Sequence, residues 1–183
     1  MKNFFIVLIM KIFNIILKIC GKNGGNFLGK IAYDWSKDIF KYFKVECPVI
    51  AVTATNGKTM TNNAIGYVLK TSGKKVISNT EGNNMETGIL STLLKNCTLT
   101  GKLKADYLVF EVDEGYVPVT FNDLRLDTLV ILDFFRDQLD RNGEVESLIL
   151  RINEFLKTYK GKLILNKYDP NVARLRICKS RQS

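Results

Sequence analysis

A chain of 183 residues, 46% of them apolar, is long enough for one sizeable core or one domain with appendages, and wholesale disorder is excluded. The net charge of +9 is unevenly placed: residues 1–44 carry eight Lys/Arg against two Asp/Glu, residues 45–150 ten against fourteen, and residues 151–183 nine against two. The acidic centre argues against a nucleic-acid surface, the absence of His excludes Ser-His-Asp, Cys-His and His-ligated metal sites within this chain, and the scattered Cys20, Cys47, Cys97 and Cys178 make neither a metal cage nor a disulfide scaffold and fit a reducing, cytosolic setting.

Met1 to Cys20 is nearly continuous apolar sequence, interrupted by Lys2, Lys11, Asn14 and Lys18. The uninterrupted run Phe4 to Met10 is too short to span a bilayer, and reading through Lys11 and Lys18 carries two charges into the hydrocarbon. This segment is expected to be a helix lying in the membrane interface with its lysines reaching for water; the alternative is a helix covering the domain's own core. Gly21, Gly24, Gly25 and Gly29 mark a loop, and Ile31 to Phe43 reads as an amphipathic helix with Ile31, Trp35, Ile39 and Phe43 on one side.

Cys47-Pro48 opens an apolar strand, Val49-Ile50-Ala51-Val52, that breaks into Thr53-Ala54-Thr55-Asn56-Gly57-Lys58-Thr59. A strand, a short polar loop and a helix in that order leave backbone N–H groups free to hold an anion. Lys58 adds a cation for terminal phosphates, and the Thr59 hydroxyl is suited to Mg²⁺. The plain alternative is a common tripeptide at a loop-to-helix junction; the flanking strand and the helical spacing of Met60, Ala64, Ile65, Val68 and Leu69 up to Gly73 favour the phosphate loop. Ala54 stands where such loops usually begin with Gly.

The alternation continues with a strand at Val76-Ile77-Ser78, a helix from Glu86 to Leu94, strands at Tyr107 to Val112 and Thr128 to Leu132, a helix from Glu144 to Lys157 and a strand at Leu163 to Leu165. Such a chain predicts an α/β fold with a mostly parallel P-loop-type sheet flanked by helices, preceded by an N-terminal helical segment, with ligands at the carboxyl ends of the strands. Polar clusters fall at those ends. Glu111, Asp113 and Glu114 follow one strand, and period-two alternation puts Glu111 and Asp113 together with Glu114 opposite. A carboxylate here can face Mg²⁺ across from the phosphates, or belong to a solvated turn. Asp133 to Glu144 holds three Asp and two Arg within nine positions, a candidate second metal-binding shell or a helix cap. Asn166 to Pro170 is a polar turn that can present an amide to an adenine edge or be an ordinary Asp-Pro turn.

Taken in order, these clusters resemble the Mur ligase family and, within it, the MurT branch, the ligase subunit of lipid II isoglutaminyl synthase. The resemblance rests on Gly29-Lys30-Ile31-Ala32, Thr53 to Thr59, Ser78 to Asn83, Glu111 to Glu114, Phe135-Arg136-Asp137-Gln138-Leu139-Asp140-Arg141 and Asn166 to Pro170. It implies ATP-dependent activation of a carboxylate on a lipid-linked peptidoglycan precursor, the D-glutamate carboxylate of lipid II, as an acyl phosphate, which ammonia from a separate GatD-like glutamine amidotransferase then attacks. By position, Ala54, Thr55, Asn56, Gly57 and Lys58 would hold the phosphates, Thr59 and Glu111 the Mg²⁺ with Gln138 near it, and Asn166 with Asp169 the adenine or ribose.

Ala54, Met60, Asp133 and Lys167-Tyr168 depart from the family pattern of Gly, Thr, Asn and Ala-Asp. The family continues into a zinc ribbon and a carboxyl-terminal domain. The expected organisation is therefore helices and a Gly-rich loop over 1–44, an incomplete central ATP-binding domain over 45–173 and a basic tail over 174–183. The chain is expected in the cytoplasm, at the inner face of the membrane, binding nucleotide without completing the amidation by itself. The alternative is a non-catalytic remnant of such a ligase.

Overall fold

The computed structural model describes residues 2–22, 24–79, 83–135 and 144–175. Strands β1 (Val49–Thr53), β2 (Val76–Ser78), β3 (Tyr107–Val112), β4 (Thr128–Ile131) and β5 (Lys162–Leu165) form one five-stranded sheet in the order β2-β3-β1-β4-β5. Every pairing in it is parallel. The α/β parallel-sheet expectation is therefore met. The helices are α1 (Lys2–Ile19), α2 (Phe27–Trp35), α3 (Lys58–Thr71), α4 (Glu86–Asn96), α5 (Val117–Phe121) and α6 (Glu144–Thr158).

Burial on both faces makes the central strands nearly continuous apolar runs, as a parallel sheet covered by helices requires. Val49, Ala51, Leu108, Phe110, Val112, Leu129 and Ile131 join the main core with Ile89, Leu90, Leu93 and Leu94 of α4 and Ile149, Ile152 and Leu156 of α6. α3 packs against β1, β2 and β3, away from the main core formed with α4 and α6. Its inward residues are Asn62 and Gly66, whereas Met60 and Val68 are exposed. Helical spacing of apolar residues here marked the periodicity but not the buried face. Asn62 Nδ2 instead donates to Ser78 Oγ at the end of β2, 3.0 Å away.

The stretch expected as one helix from Ile31 to Phe43 is divided. α2 begins earlier, at Phe27, and stops at Trp35 because Ser36 is extended (φ −151°, ψ 108°); a 3₁₀ turn follows at Ile39–Tyr42. Gly29, expected in a loop, lies inside α2 where that helix crosses α4. Its N–H donates to Ser91 Oγ at 2.7 Å, and a Cβ at Gly29 would collide with the Thr87 carbonyl oxygen. Gly thus sets the closeness of the α2/α4 crossing.

α1 packs on α2 and α4 through Ile6, Val7 and Met10. Lys2 and Lys18 are exposed, but Lys11 differs from expectation: its Nζ turns onto the body and donates to the Leu94 carbonyl oxygen at 3.3 Å, in the last turn of α4, where free carbonyls favour a cation. The other side of the helix leaves Phe5, Ile9, Ile12, Phe13, Ile15, Ile16 and Ile19 exposed. One face covers the core, as the alternative reading expected, and the opposite face is apolar and open. Among the described residues, no helix is long and apolar enough to cross a membrane.

Beyond Ser78, the side chain of Asn79 continues the β2–β3 ladder. Asn79 is buried; its Oδ1 accepts from the Glu111 N–H at 2.9 Å and its Nδ2 donates to the Glu111 carbonyl at 2.7 Å and to the Asn83 carbonyl at 2.9 Å. Asn79→Ala strands buried backbone groups and is expected to lower stability by about 3 kcal/mol in urea titrations. Gly29→Ala is expected to cost about 2 kcal/mol by overpacking the helix crossing. Gly66→Ala, whose added Cβ meets nothing within 4 Å, is expected to be neutral or stabilising by up to about 1 kcal/mol in the same titrations.

Candidate functional site: a phosphate loop at the carboxyl edge of the sheet

β1 delivers the chain to the middle of the sheet edge, between the ends of β3 and β4. Thr53 and Ala54 are fully buried, so the Ala54 methyl packs inside the protein rather than rimming the loop. The Thr53 hydroxyl is buried without a hydrogen-bond partner, an orphaned polar atom at the root of the loop. Gly57 takes the left-handed conformation (φ 78°, ψ −5°) and turns the chain directly into α3, with Thr61 N–H donating back to the Gly57 carbonyl at 3.0 Å. A side chain at that φ is strained, which is the physical reason for Gly here. Lys58 and Thr59 then occupy the first turn of α3, and Lys58 Nζ is folded back onto the Thr55 carbonyl at 3.2 Å. The positive end of a helix dipole, free amides of its first turn and a lysine therefore meet at one point.

Both neighbouring strand ends grip the loop. From the β4 side, the Asp133 carbonyl accepts from Thr55 N–H at 3.1 Å and Asp133 Oδ1 accepts from Asn56 N–H at 2.8 Å. The Thr55 hydroxyl lies 3.3 Å from the Phe135 carbonyl and accepts from Phe135 N–H at 3.0 Å. From the β3 side, Glu114 Oε1 lies 3.4 Å from the same hydroxyl. Glu114 Oε2 is buried without a partner, and burial, reinforced by the neighbouring Asp113 charge, raises the carboxyl above the usual range despite Lys58 nearby.

Glu111 is buried in β3 opposite Val52. It alternates with Phe110 and Val112 of the main core, so it stands on the face covered by α3, the helix whose first turn carries Thr59. Asp113 does not continue that face: β3 ends at Val112, and Asp113 Oδ1 instead accepts from Gly115 N–H at 3.1 Å to start a 3₁₀ turn at Glu114–Tyr116. The turn swings Glu114 back to the loop. Alternation along an assumed longer strand had set Glu114 aside; the capping sequence Asp113-Glu114-Gly115 was the available signal that the strand had ended.

Asn166 and Asp169 follow β5, at the same sheet edge but beyond β4. The Asn166 side-chain Oδ1 accepts from Tyr168 N–H at 3.1 Å, and Asp169 Oδ1 accepts from Val172 N–H at 2.7 Å, the first residue of a 3₁₀ turn at Val172–Arg174. Asp169 Oδ2 is buried and unpartnered. Asn171 Nδ2 ties this turn to the Phe134 carbonyl at 2.6 Å, joining the β4 and β5 exits. Gln138, with Arg136 to Arg141, lies outside the described residues. Burial pushes the thiols of Cys47 and Cys97 up.

Among the described residues, no three His, Cys, Asp or Glu side chains converge as a metal cage. Mg²⁺ bound by one or two protein oxygens together with phosphates and water needs none. The Thr59 hydroxyl, the buried Glu111 carboxylate and the orphaned Glu114 oxygen fit that kind of donor set.

Comparison with known proteins agrees with this geometry. Residues 52–182 match the model of the Mur ligase middle domain. The chain is 37% identical over 158 residues to the MurT subunit of lipid II isoglutaminyl synthase of Staphylococcus aureus (strain COL), covering 86% of this chain and 35% of that protein. It is 36% identical over 123 residues to the MurT subunit of Streptococcus pneumoniae (strain ATCC BAA-255 / R6), covering 67% of this chain and 27% of that one. Among solved structures, MurF from Acinetobacter baumannii superposes with a TM-score of 0.63 at 20% identity over 80% of this chain and 32% of its own. MurF ligase from Thermotoga maritima in complex with ADP gives 0.61 at 20% identity over 81% and 35%. The chain thus spans about a third or less of the length of these curated relatives. A parallel sheet with a phosphate loop at the end of its central strand, and a family match over most of the sequence, establish that this chain belongs to the Mur ligase family.

Proposed function

We propose that this chain is the nucleotide-binding part of a MurT-type ligase that activates a carboxylate of a lipid-linked peptidoglycan precursor for amidation. The observation that carries the reading is the loop itself: Gly57 in the left-handed conformation, Lys58 folded over the loop and the first turn of α3 aimed outward at the sheet edge. When bound, ATP would supply the γ-phosphoryl group that converts the carboxylate to an acyl phosphate with release of ADP, and ammonia would then displace inorganic phosphate to leave the amide. The protein's own part is to hold and orient. Loop amides and Lys58 bind the phosphates, Thr59 and Glu111 offer oxygens to Mg²⁺, and Asn166 and Asp169 stand at the edge where a base or ribose would lie. A GatD-like amidotransferase subunit would supply the ammonia, in keeping with the relatives' description as one subunit of a glutamine-hydrolysing synthase.

The reading extends to location. Seven large apolar side chains on the outer face of α1 are framed by the exposed Lys2, Lys18 and Lys22 at its ends and Lys30 beyond. Each such side chain contributes about 1.5–3 kcal/mol when fully withdrawn from water, and lysines at the rim suit anionic headgroups. We assign this face to the cytoplasmic membrane surface that presents the lipid-linked substrate.

Two outcomes are expected. Calorimetry on the purified chain should show saturable Mg-ATP binding that Lys58→Ala weakens by at least about tenfold; a folded wild-type chain that binds no nucleotide would favour the non-catalytic remnant instead. The pair Ile12→Glu with Ile16→Glu should abolish sedimentation with vesicles of phosphatidylcholine and phosphatidylglycerol while leaving thermal stability unchanged. Wild-type-like sedimentation of the pair, or a concentration-dependent dimer that the pair dissolves, would reassign the face.

A further inference from the structure

The phosphate loop already holds an anion of its own. Asn56 N–H lies in the turn between β1 and α3, among the amides an incoming phosphate would seek, and it donates at 2.8 Å to Asp133 Oδ1. The Asp133 backbone is anchored at the same place by the 3.1 Å bond from Thr55 N–H to its carbonyl, which keeps the carboxylate's point of attachment beside the loop. Glu114 stands on the opposite flank through Thr55. The cation closest in sequence, Lys58, is held back on the Thr55 carbonyl at 3.2 Å.

A metal-free triphosphate brings its full negative charge into contact with this arrangement. Mg²⁺ cancels about half of that charge and is itself attracted by a carboxylate beside the loop. From this juxtaposition we infer that Asp133 is a specificity-determining residue: its charge makes the loop select the metal-bound nucleotide over the free one. The hydrogen bond to Asn56 N–H shapes the loop, and the charge sets the preference. These two roles separate chemically, because an Asn at the same position keeps an oxygen acceptor and loses the charge.

The inference rests on the nucleotide-binding reading, and the experiment keeps the two apart. ATP binding is measured by calorimetry on the full chain, once with excess Mg²⁺ and once with a chelator, for wild type, Asp133→Asn, Asp133→Ala and Lys58→Ala, each checked for a wild-type melting transition. Asp133→Asn is expected to gain about tenfold in affinity for metal-free ATP and to stay within about threefold of wild type for Mg-ATP. Asp133→Ala, which removes the acceptor as well, is expected to weaken both states relative to Asp133→Asn. Lys58→Ala is expected to weaken both states relative to wild type. If wild type binds, Lys58→Ala does not and Asp133→Asn shows the wild-type preference for Mg-ATP, the nucleotide reading stands and the role of Asp133 is overturned. Loss of Mg-ATP binding in Asp133→Asn also overturns it, by making the carboxylate a required metal ligand. Absence of binding by every folded variant sinks both readings together.

Discussion

Parallel pairing of β1 with a strand on each side is the constraint from which the site follows. Val52 stands opposite Glu111 of β3 and Val130 of β4, so the three strands run in the same direction and end along one edge. Each then releases its chain into a loop at that edge: the phosphate loop from β1, the acidic turn from β3 and the Asp133–Phe135 segment from β4. An antiparallel neighbour would have brought a strand's beginning there instead, and neither Glu114 nor Asp133 would reach Thr55 and Asn56. The long connections that parallel pairing demands are the helices that bury the sheet.

The loop in this state is held by hydrogen bonds to both neighbours rather than standing open. Thr55 is the joint, in contact with Glu114 on one side and Phe135 on the other, while Asn56 N–H is taken by a carboxylate. Preorganisation of this kind lowers the ordering cost of binding, since the turn does not have to be assembled around the ligand. It also sets the charge that a phosphate meets on arrival. Behind the loop, Asn79 fixes the backbone of Glu111 through two buried hydrogen bonds, which holds the carboxylate's strand in register where β2 has already ended.

At the opposite extreme of the chain, α1 reverses the usual arrangement of a surface helix. Its polar residue Lys11 turns toward the body to meet the last turn of α4, and its most continuous apolar strip faces outward. A soluble helix ordinarily does the opposite. The arrangement is self-consistent because the end of α4 offers free carbonyls that a lysine satisfies, and because Ile6, Val7 and Met10 already suffice to seat the helix on the core.

Much of this was legible in the sequence. The alternation of apolar runs with helical patterns dictates the parallel α/β sheet, and the strand-loop-helix grammar from Val49 to Thr59 dictates the tight turn from β1 into α3, because both depend on local periodicity and on Gly57 being free to adopt positive φ. The same local rules could not say which side of α3 is buried, since Asn62 and Gly66 face inward for reasons of contact with Ser78 and the sheet. Nor could they place Gly29 in a helix crossing, divide the chain at Ser36, or send Lys11 inward. Glu114 and Asp133 came to the loop only through the fold: one because the chain turns at Asp113 instead of carrying the strand alternation on to Glu114, the other because β4 pairs beside β1. Sequence by itself determined the elements and the chemistry available at their ends; only tertiary structure decided which ends meet, because a hydrogen bond such as that between Asn56 and Asp133 joins residues far apart in the chain whose proximity is set by strand order rather than by any local pattern.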